Sequence, residues 1–266
     1  MNKPSSAAPI GIFDSGVGGL SVLHHIRRLL PMEDLLYVAD NGHLPYGNKT
    51  QEMVQGRALV ISEFLIRQGA KAIVVACNTA TAAAVLLLRQ RYALPIIGME
   101  PGVKPGIEQS RAGKVAILAT EGTLGSAKFQ ALLQRHSNRA EVRVQPCPGW
   151  VELVETQADA GAIRQTLEPQ LKPLLIQGID TLVLGCTHYP FLSDAIQKLA
   201  GGDIQIIDTG LAVARQLERR LAEANLLKTD AQPGIERFWC SAPSINTTQL
   251  FSRLWGKAVK IEPLPV

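Results

Sequence analysis

The chain contains two copies of a short motif in which an apolar strand runs directly into a cysteine and then into polar side chains. The first copy ends with Cys-Asn-Thr at residues 77–79 and the second with Cys-Thr-His at residues 186–188, so the two cysteines lie 109 residues apart. A second pair of similar segments, 10–16 and 115–122, is displaced by 106 residues at its final glycines. A nearly constant offset between two pairs of motifs predicts a duplicated half.

Short apolar segments alternate with longer amphipathic ones along the chain, and this alternation predicts parallel sheets with crossover helices. The predicted strands cover 10–13, 35–39, 71–76, 95–98, 114–118, 141–145, 181–185, 204–207, 235–240 and 258–261. The predicted helices cover 18–30, 51–68, 79–91, 101–110, 124–135, 160–177, 190–200, 209–223 and 244–254. We therefore expect an α/β protein.

The duplication also predicts how the chain divides into domains. The second copy runs from about 100 to 208, and residues 209–266 have no counterpart in the first copy. In the simplest arrangement this tail returns to the first domain. We therefore expect a discontinuous N-terminal α/β domain of residues 1–99 plus 209–266 and a second α/β domain of residues 100–208.

Composition limits the classes of partner. Of the 266 residues, 46% are hydrophobic and 19% are charged, which is ordinary for a soluble globular protein. The formal net charge of +4 leaves no run of basic and aromatic residues, so nucleic acid is not expected as the main partner. The N-terminal residues lack the apolar stretch of a signal peptide, and no apolar run approaches the length of a membrane span. We expect a cytoplasmic protein with a small-molecule substrate and no membrane partner; the sequence is compatible with a homodimer.

Four cysteines stand at positions 77, 147, 186 and 240, without the spacing of a zinc site. In a reducing compartment they are expected to be free thiols, and no metal is expected. Cys147 and Cys240 fit the usual pattern of a small buried hydrophobic residue. Cys77 and Cys186 fit it less well, because each stands where a strand is predicted to end.

Ligands of open parallel sheets bind beyond the carboxyl ends of the strands, where both of these thiols are expected. A helix N-terminus lowers the pKa of a cysteine, and we expect Cys77 and Cys186 each to lie just before a helix. His188 could exchange a proton with Cys186, and Asp14 could serve the other thiol. The alternative for both is a helix cap or a hydrogen bond in the core.

No Arg or Lys occurs in these motifs, so an anionic ligand would be held by hydroxyls, amides and backbone N–H groups. The candidate donors are Ser15, Asn78, Thr79, Thr123 and Thr187. The same residue types also cap helices for purely structural reasons. A further loop, Pro45-Tyr46-Gly47, is either a plain turn or a lid that places Tyr46 over the ligand.

One motif resembles a nucleotide-binding motif. The segment 16–21 follows a strand and resembles a dinucleotide-binding fingerprint, with Asp40 near the position of the ribose-binding acid. Its sixth position is Ser21 rather than Gly, and Asp14 would bring negative charge towards a pyrophosphate. Nucleotide binding is therefore not favoured.

Taken together, the motifs resemble those of the bacterial glutamate racemases. The opening signature is Phe-Asp-Ser-Gly-Val-Gly-Gly-Leu-Ser-Val-Leu at 13–23, followed by Pro-Tyr-Gly at 45–47. Ala-Cys-Asn-Thr-Ala at 76–80 and Leu-Gly-Cys-Thr-His-Tyr-Pro at 184–190 complete the series in the same order and spacing. The resemblance extends from about residue 10 to residue 261.

This resemblance implies a racemase without a cofactor that interconverts L- and D-glutamate and supplies D-glutamate for peptidoglycan. It implies two similar α/β domains with mostly parallel sheets, related by a pseudo-twofold axis, with the active site between them. No lysine follows the proposed active-site strands, so a pyridoxal phosphate Schiff base is not expected. The alternative is a related two-cysteine racemase that acts on aspartate or a hydantoin.

The resemblance also implies roles for individual residues. Cys77 would take the α-proton from D-glutamate with help from Asp14, and Cys186 would take it from L-glutamate with help from His188. The residues expected to contact the substrate are Asp14, Ser15, Pro45, Tyr46, Gly47, Asn78, Thr79, Thr120, Thr123, Thr187 and His188.

Two places depart from the family pattern. The glutamate that completes the family's site corresponds best to Glu155, although Glu152 stands where the family commonly has proline. The approach to the tyrosine loop, residues 41–44, lacks the arginine expected there.

Overall fold

The computed structural model describes residues 5–136, 139–229 and 232–265. The chain forms two compact units, the first made of Met1–Met99 with Gly210–Val266 and the second of Glu100–Thr209. The return to the first unit falls one residue after the boundary expected from the duplication.

Ten strands lie in the described ranges, all paired in parallel, which confirms the predicted α/β class. They are β1 (Ile10–Asp14), β2 (Leu35–Ala39), β3 (Ala72–Val75), β4 (Ile96–Gly98), β5 (Lys114–Ala119), β6 (Glu141–Pro146), β7 (Thr181–Leu184), β8 (Gln205–Ile207), β9 (Glu236–Cys240) and β10 (Ile261–Pro263). The first unit holds a sheet in the order β10-β9-β2-β1-β3-β4, and the second holds one in the order β6-β5-β7-β8.

Eleven α-helices are found in the same ranges. They are α1 (Leu20–Leu29), α2 (Gln51–Arg67), α3 (Asn78–Arg91), α4 (Val103–Gln109), α5 (Glu121–Leu124), α6 (Ala127–His136), α7 (Trp150–Glu155), α8 (Ala160–Ile176), α9 (Ser193–Ala200), α10 (Gly210–Glu223) and α11 (Ile245–Trp255). The pattern of apolar residues does not predict α7, because six residues are too few to show a helical period. None of the described helices combines the length and the apolar composition needed to cross a bilayer.

The two sheets share one strand order, which is what a duplicated half requires. The run β2-β1-β3-β4 of the first sheet has the same order as β6-β5-β7-β8 of the second. Cys77 follows β3 and Cys186 follows β7, so the two thiols occupy equivalent positions in the two sheets. The first unit additionally receives β9 and β10, with β9 pairing along β2.

Burial explains why the central strands form. Every residue of β1, β2 and β3 is buried, as expected for parallel strands covered by helices on both faces. The core of the first unit extends from these strands to Tyr46 and Cys77. In the second unit β5 and β7 are largely buried, whereas the edge strand β6 is mostly exposed.

A buried ion pair lies at the amino end of the first sheet. Lys71 precedes β3 and Glu33 precedes β2; the Lys71 Nζ donates to Glu33 Oε2 at 2.5 Å and to the Ser6 carbonyl at 2.5 Å. The second Glu33 oxygen accepts the Lys228 backbone N–H at 2.8 Å. Burial lowers the pKa of Lys71, although the bond to Glu33 acts in the opposite direction. The pair is fully desolvated, so each charge depends on the other.

We predict that Lys71→Met lowers the free energy of unfolding by about 3 kcal/mol, because it leaves the Glu33 carboxylate buried without its cation. Urea denaturation followed by circular dichroism measures the change. Adding Glu33→Gln removes the orphaned charge while keeping an acceptor for Lys228, and this double variant should recover more than half of the loss. A double variant no more stable than Lys71→Met would contradict this account.

Candidate functional site

In the first unit, chemically active side chains gather at the carboxyl ends of three adjacent strands. β1 lies between β2 and β3 in the sheet. Its last residue, Asp14, is therefore flanked by Asp40, which follows β2, and by Cys77, which follows β3 by two residues. These are the positions at which parallel sheets bind ligands.

The Asp14 carboxylate is held by the loop that leads into α1. Asp14 has no exposed surface, and it accepts the backbone N–H of Ser15 at 2.7 Å and that of Gly19 at 2.6 Å. A Cβ at position 19 would lie 2.7 Å from the Asp14 Cβ and 2.8 Å from the Tyr37 hydroxyl. Glycine is thus required for the loop to approach the carboxylate this closely.

Cys77 caps the N-terminus of α3. Its sulfur accepts the Ala80 backbone N–H at 3.5 Å and lies 3.9 Å from the Ser15 hydroxyl. The positive end of the helix dipole and these hydrogen-bond partners favour negative charge on the sulfur. The expected position just before a helix is therefore correct for Cys77.

The next residue, Asn78, has a buried side chain with unsatisfied hydrogen-bonding capacity. Neither its amide nitrogen nor its amide oxygen has a hydrogen-bond partner among the residues that the structure describes. Buried polar groups are almost always paired, so an orphaned amide beside a thiol indicates a place for a ligand or a water molecule. Thr79 follows it and is 8% exposed.

The tyrosine loop is neither a plain turn nor a lid. Tyr46 is only 2% exposed, and its hydroxyl donates to Asp40 Oδ2 at 2.6 Å. The side chain therefore points into the unit, and Tyr46 offers a ligand only its backbone. Pro45 and Gly47 beside it are half-buried.

In the second unit, Cys186 has a different surrounding from Cys77. It is 8% exposed, and two turn residues and a 3-10 helix, Tyr189–Leu192, separate it from α9. Cys186 thus lies just before a helical segment, as expected, but that segment begins as a 3-10 helix and becomes α-helical only at Ser193. Its closest side-chain partner is His188, whose Nδ1 lies 3.8 Å from the sulfur.

His188 links this thiol to a carboxylate. It is 1% exposed, and its Nε2 lies 2.7 Å from Glu155 Oε1. Burial works to lower the pKa of His188, but the hydrogen bonds with Cys186 and Glu155 outweigh it and hold that pKa well above its usual range. The two contacts favour the protonated imidazole, which can donate one N–H to each partner.

Of the two candidate glutamates, Glu155 makes the contact with His188 and Glu152 is exposed. Both lie on α7, which begins after Gly149 in the left-handed region at φ 86°. The dipeptide Pro148-Gly149 is the one local signal in the sequence that marks this start.

The threonines of the second unit lie beyond the carboxyl ends of β5 and β7, as Cys186 does. Thr120 follows β5 and caps α5: its hydroxyl accepts the Thr123 backbone N–H at 3.3 Å and donates to the Thr123 hydroxyl at 3.1 Å. Thr123 and Thr187 are buried, whereas Thr120 is half-buried. Thr120 thus has the structural role of a cap and also exposes part of its surface at the candidate site.

The other two cysteines have ordinary buried surroundings. All four cysteines are free thiols. Burial raises the pKa of Cys240 to about 11 and raises that of Cys147 further. Both thiols are therefore neutral at physiological pH, as the sequence predicts for small buried residues. In the described part of the chain no three His, Cys, Asp or Glu side chains are grouped so as to hold a metal ion.

Comparison with known proteins supports the resemblance seen in the motifs. The model of the Asp/Glu/Hydantoin racemase family matches residues 10–217. The chain is 54% identical to the glutamate racemase of Methylococcus capsulatus over 259 residues, which cover 97% of this chain and 95% of that protein.

Solved structures agree. A glutamate racemase isoform of Bacillus anthracis superposes with a TM-score of 0.89 at 34% identity, covering 100% of this chain and 99% of that chain. The glutamate racemase of Francisella tularensis, crystallised with D-glutamate, gives a TM-score of 0.84 at 29% identity, covering 97% and 98%. The chain therefore belongs to the Asp/Glu/Hydantoin racemase family and, within it, to the glutamate racemases.

Proposed function

We propose that this protein interconverts L- and D-glutamate by a two-base thiol mechanism without a cofactor, and that it supplies D-glutamate for peptidoglycan. One observation carries the proposal. Two thiols occupy equivalent strand ends in two sheets of the same order, and each has its own proton-handling neighbour. The high identity to glutamate racemases points to glutamate as the substrate.

Racemisation requires one base for each face of the α-carbon. In the proposed reaction, Cys77 as a thiolate removes the α-proton of D-glutamate, and Cys186 as a thiol delivers a proton to the opposite face. In the reverse direction Cys186 removes the proton of L-glutamate and Cys77 delivers one. Each sulfur therefore exchanges one proton per turnover, and no electrons are transferred. Such general acid–base steps are most efficient when donor and acceptor are already positioned.

The position of Cys77 at a helix N-terminus favours its thiolate form. The helix N-terminus and the Ala80 N–H favour the anion, and the nearby Ser15 hydroxyl can donate to it. In our proposal the Asp14 carboxylate, fixed by two backbone N–H groups, assists proton transfer at this sulfur and binds the substrate ammonium group. Asp14 thus combines a catalytic and a binding role.

The Cys186 side uses a charged partner instead. A protonated His188 stabilises the Cys186 thiolate electrostatically and can return a proton to it, while Glu155 maintains the protonated state of the imidazole. We assign Cys77, Cys186, Asp14, His188 and Glu155 as the catalytic set.

The substrate carboxylates are proposed to bind without arginine or lysine. Helix N-termini and neutral donors can hold an anion, and the unpaired amide of Asn78 is the strongest single candidate in the first unit. The proposed binding residues are Asp14, Ser15, Pro45, Tyr46, Gly47, Asn78, Thr79, Thr120, Thr123, Thr187 and His188. Tyr46 would contribute its backbone only, because its side chain is buried.

A second candidate is a related two-cysteine racemase acting on aspartate or a hydantoin, since the family model includes those substrates. Initial rates on L-glutamate, L-aspartate and a hydantoin, followed by circular dichroism, separate the candidates. We expect turnover on glutamate to exceed that on aspartate by about 100-fold, which lies within the roughly 10- to 200-fold discrimination that one methylene in a pocket provides. Equal rates on the two acids would contradict the choice of glutamate.

Visible absorbance that accompanies activity in the purified protein would contradict the absence of a cofactor.

We predict that Cys77→Ser and Cys186→Ser each lower racemisation by about 100-fold or more, because a serine hydroxyl is a far weaker base than a thiolate. Each variant should still remove the α-proton and the halide from a 3-haloglutamate, but from one enantiomer only. Cys77→Ser should act on the L isomer and Cys186→Ser on the D isomer.

Proton-NMR in deuterated water measures both reactions. Cys240→Ser is the matched control, because Cys240 lies at the end of β9 and has no proposed role. Near-normal racemisation in either active-site variant would end the two-base assignment, whereas loss of activity in the control would indicate a general effect of removing a thiol.

We predict that Glu155→Gln lowers kcat/KM by roughly 10- to 100-fold, because the carboxylate supports a general acid–base group. Without Glu155, the raised pKa of His188 falls, and the protonated imidazole is lost at a lower pH. The alkaline limb of the pH–rate profile should therefore shift towards lower pH. Glu152→Gln, on the same helix, should leave the profile unchanged; an unmoved alkaline limb in Glu155→Gln would contradict the role given to this carboxylate.

A further inference from the structure

A charged cluster beside the candidate site has no part in the proposed chemistry. Its centre is Asp40, which follows β2 and has no exposed surface. Arg57, on α2, donates from Nε to one Asp40 oxygen at 2.8 Å and from Nη2 to the other at 2.8 Å. This two-point contact fixes both the position and the plane of the carboxylate.

The same carboxylate holds the tyrosine loop. The Tyr46 hydroxyl donates to Asp40 Oδ2 at 2.6 Å, and the His43 Nδ1 lies 3.1 Å from Asp40 Oδ1. Burial raises the pKa of Tyr46, and Asp40 raises it further, so the phenol remains a neutral donor. The Tyr46 side chain therefore has one defined polar anchor inside the unit, and Arg57 orients that anchor.

The start of the loop is fixed separately, to the end of β9. The Asn41 side-chain amide donates to the Ala242 carbonyl at 2.9 Å and accepts the Ala242 N–H at 3.1 Å. The Gly42 N–H donates to the Ser241 hydroxyl at 2.8 Å. These contacts hold residues 41 and 42 but do not reach the segment 45–47. In that segment the Tyr46 ring packs in the core of the first unit, and its hydroxyl bonds Asp40.

We propose that Arg57 is a positioning residue for the substrate: through Asp40 and Tyr46 it sets the backbone of Pro45-Tyr46-Gly47. This inference rests on the proposed function, in which that segment binds glutamate. Arg57 takes no part in proton transfer. A lysine could not replace it fully, because an ammonium group is a point charge and cannot hold both oxygens of one carboxylate in a fixed plane.

The proposal predicts a separation of KM from kcat. In Arg57→Lys and Arg57→Ala, KM for both enantiomers should rise about 10- to 100-fold, because the binding segment is displaced by a fraction of an ångström or more. The kcat value should fall by less than about threefold, as expected when an interaction common to ground and transition states is lost. A purely structural role would act differently: it would reduce the fraction of folded protein, and hence apparent kcat, without changing KM.

The experiment compares these variants with wild type and with Arg67→Ala. Arg67 is the last residue of α2 and is exposed, so it is a matched control for removing an arginine from this helix. Tyr46→Phe should show the same rise in KM as Arg57→Ala, because it breaks the next link of the same chain of contacts. Adding millimolar guanidinium should lower KM for Arg57→Ala and should have no such effect on Tyr46→Phe.

Two results would overturn the proposal: an unchanged KM in folded Arg57→Lys, or a KM for Arg57→Ala that rises but does not respond to guanidinium while Tyr46→Phe behaves as wild type. Calorimetric titration with D-glutamate provides a readout that does not depend on turnover. If wild type and Arg67→Ala do not racemise glutamate, the proposed function fails. The positioning role is then decided by whether Arg57→Lys binds D-glutamate more weakly than they do.

Discussion

Parallel pairing of buried strands is the constraint on which the rest of this structure depends. Because β1 lies between β2 and β3 with all strands parallel, the residues at their carboxyl ends are brought to one edge of the sheet. Asp14, Asp40 and Cys77 are far apart in the chain but become neighbours there. The interiors of these strands are buried and contain no charged side chain, so the candidate functional groups are found where the strands end.

The two halves share a strand order but prepare their thiols differently. Cys77 stands at the N-terminus of an α-helix, where backbone dipoles and an N–H donor favour negative charge. Cys186 is followed by a turn, and its partner is the imidazole of His188, which in turn contacts Glu155. Fixed backbone dipoles do not titrate, whereas an imidazolium does. His188 therefore adds a pH dependence of its own to the Cys186 side of the proposed reaction.

Charged pairs have different roles at the amino and carboxyl ends of the strands in the first sheet. The Lys71–Glu33 pair at the amino end is remote from the chemistry, and its loss is expected to affect unfolding alone. The Arg57–Asp40 pair lies at the carboxyl end, beside Asp14, and holds a loop in place. Lys71, Glu33 and Asp40 are buried, and Arg57 is half-buried. Their positions in the sheet decide whether the same kind of interaction contributes stability or geometry.

The sequence by itself determined the α/β class, the duplicated half and the placement of both thiols at strand ends, because apolar periodicity, strand length and repeated motifs can be read along the chain. Only the tertiary structure decided which glutamate contacts His188, since the short helix α7 has no detectable period. It also decided that Tyr46 points inward and that Arg57 supports it. Those contacts join segments distant in the chain, and their partners are selected by packing, which no local pattern encodes.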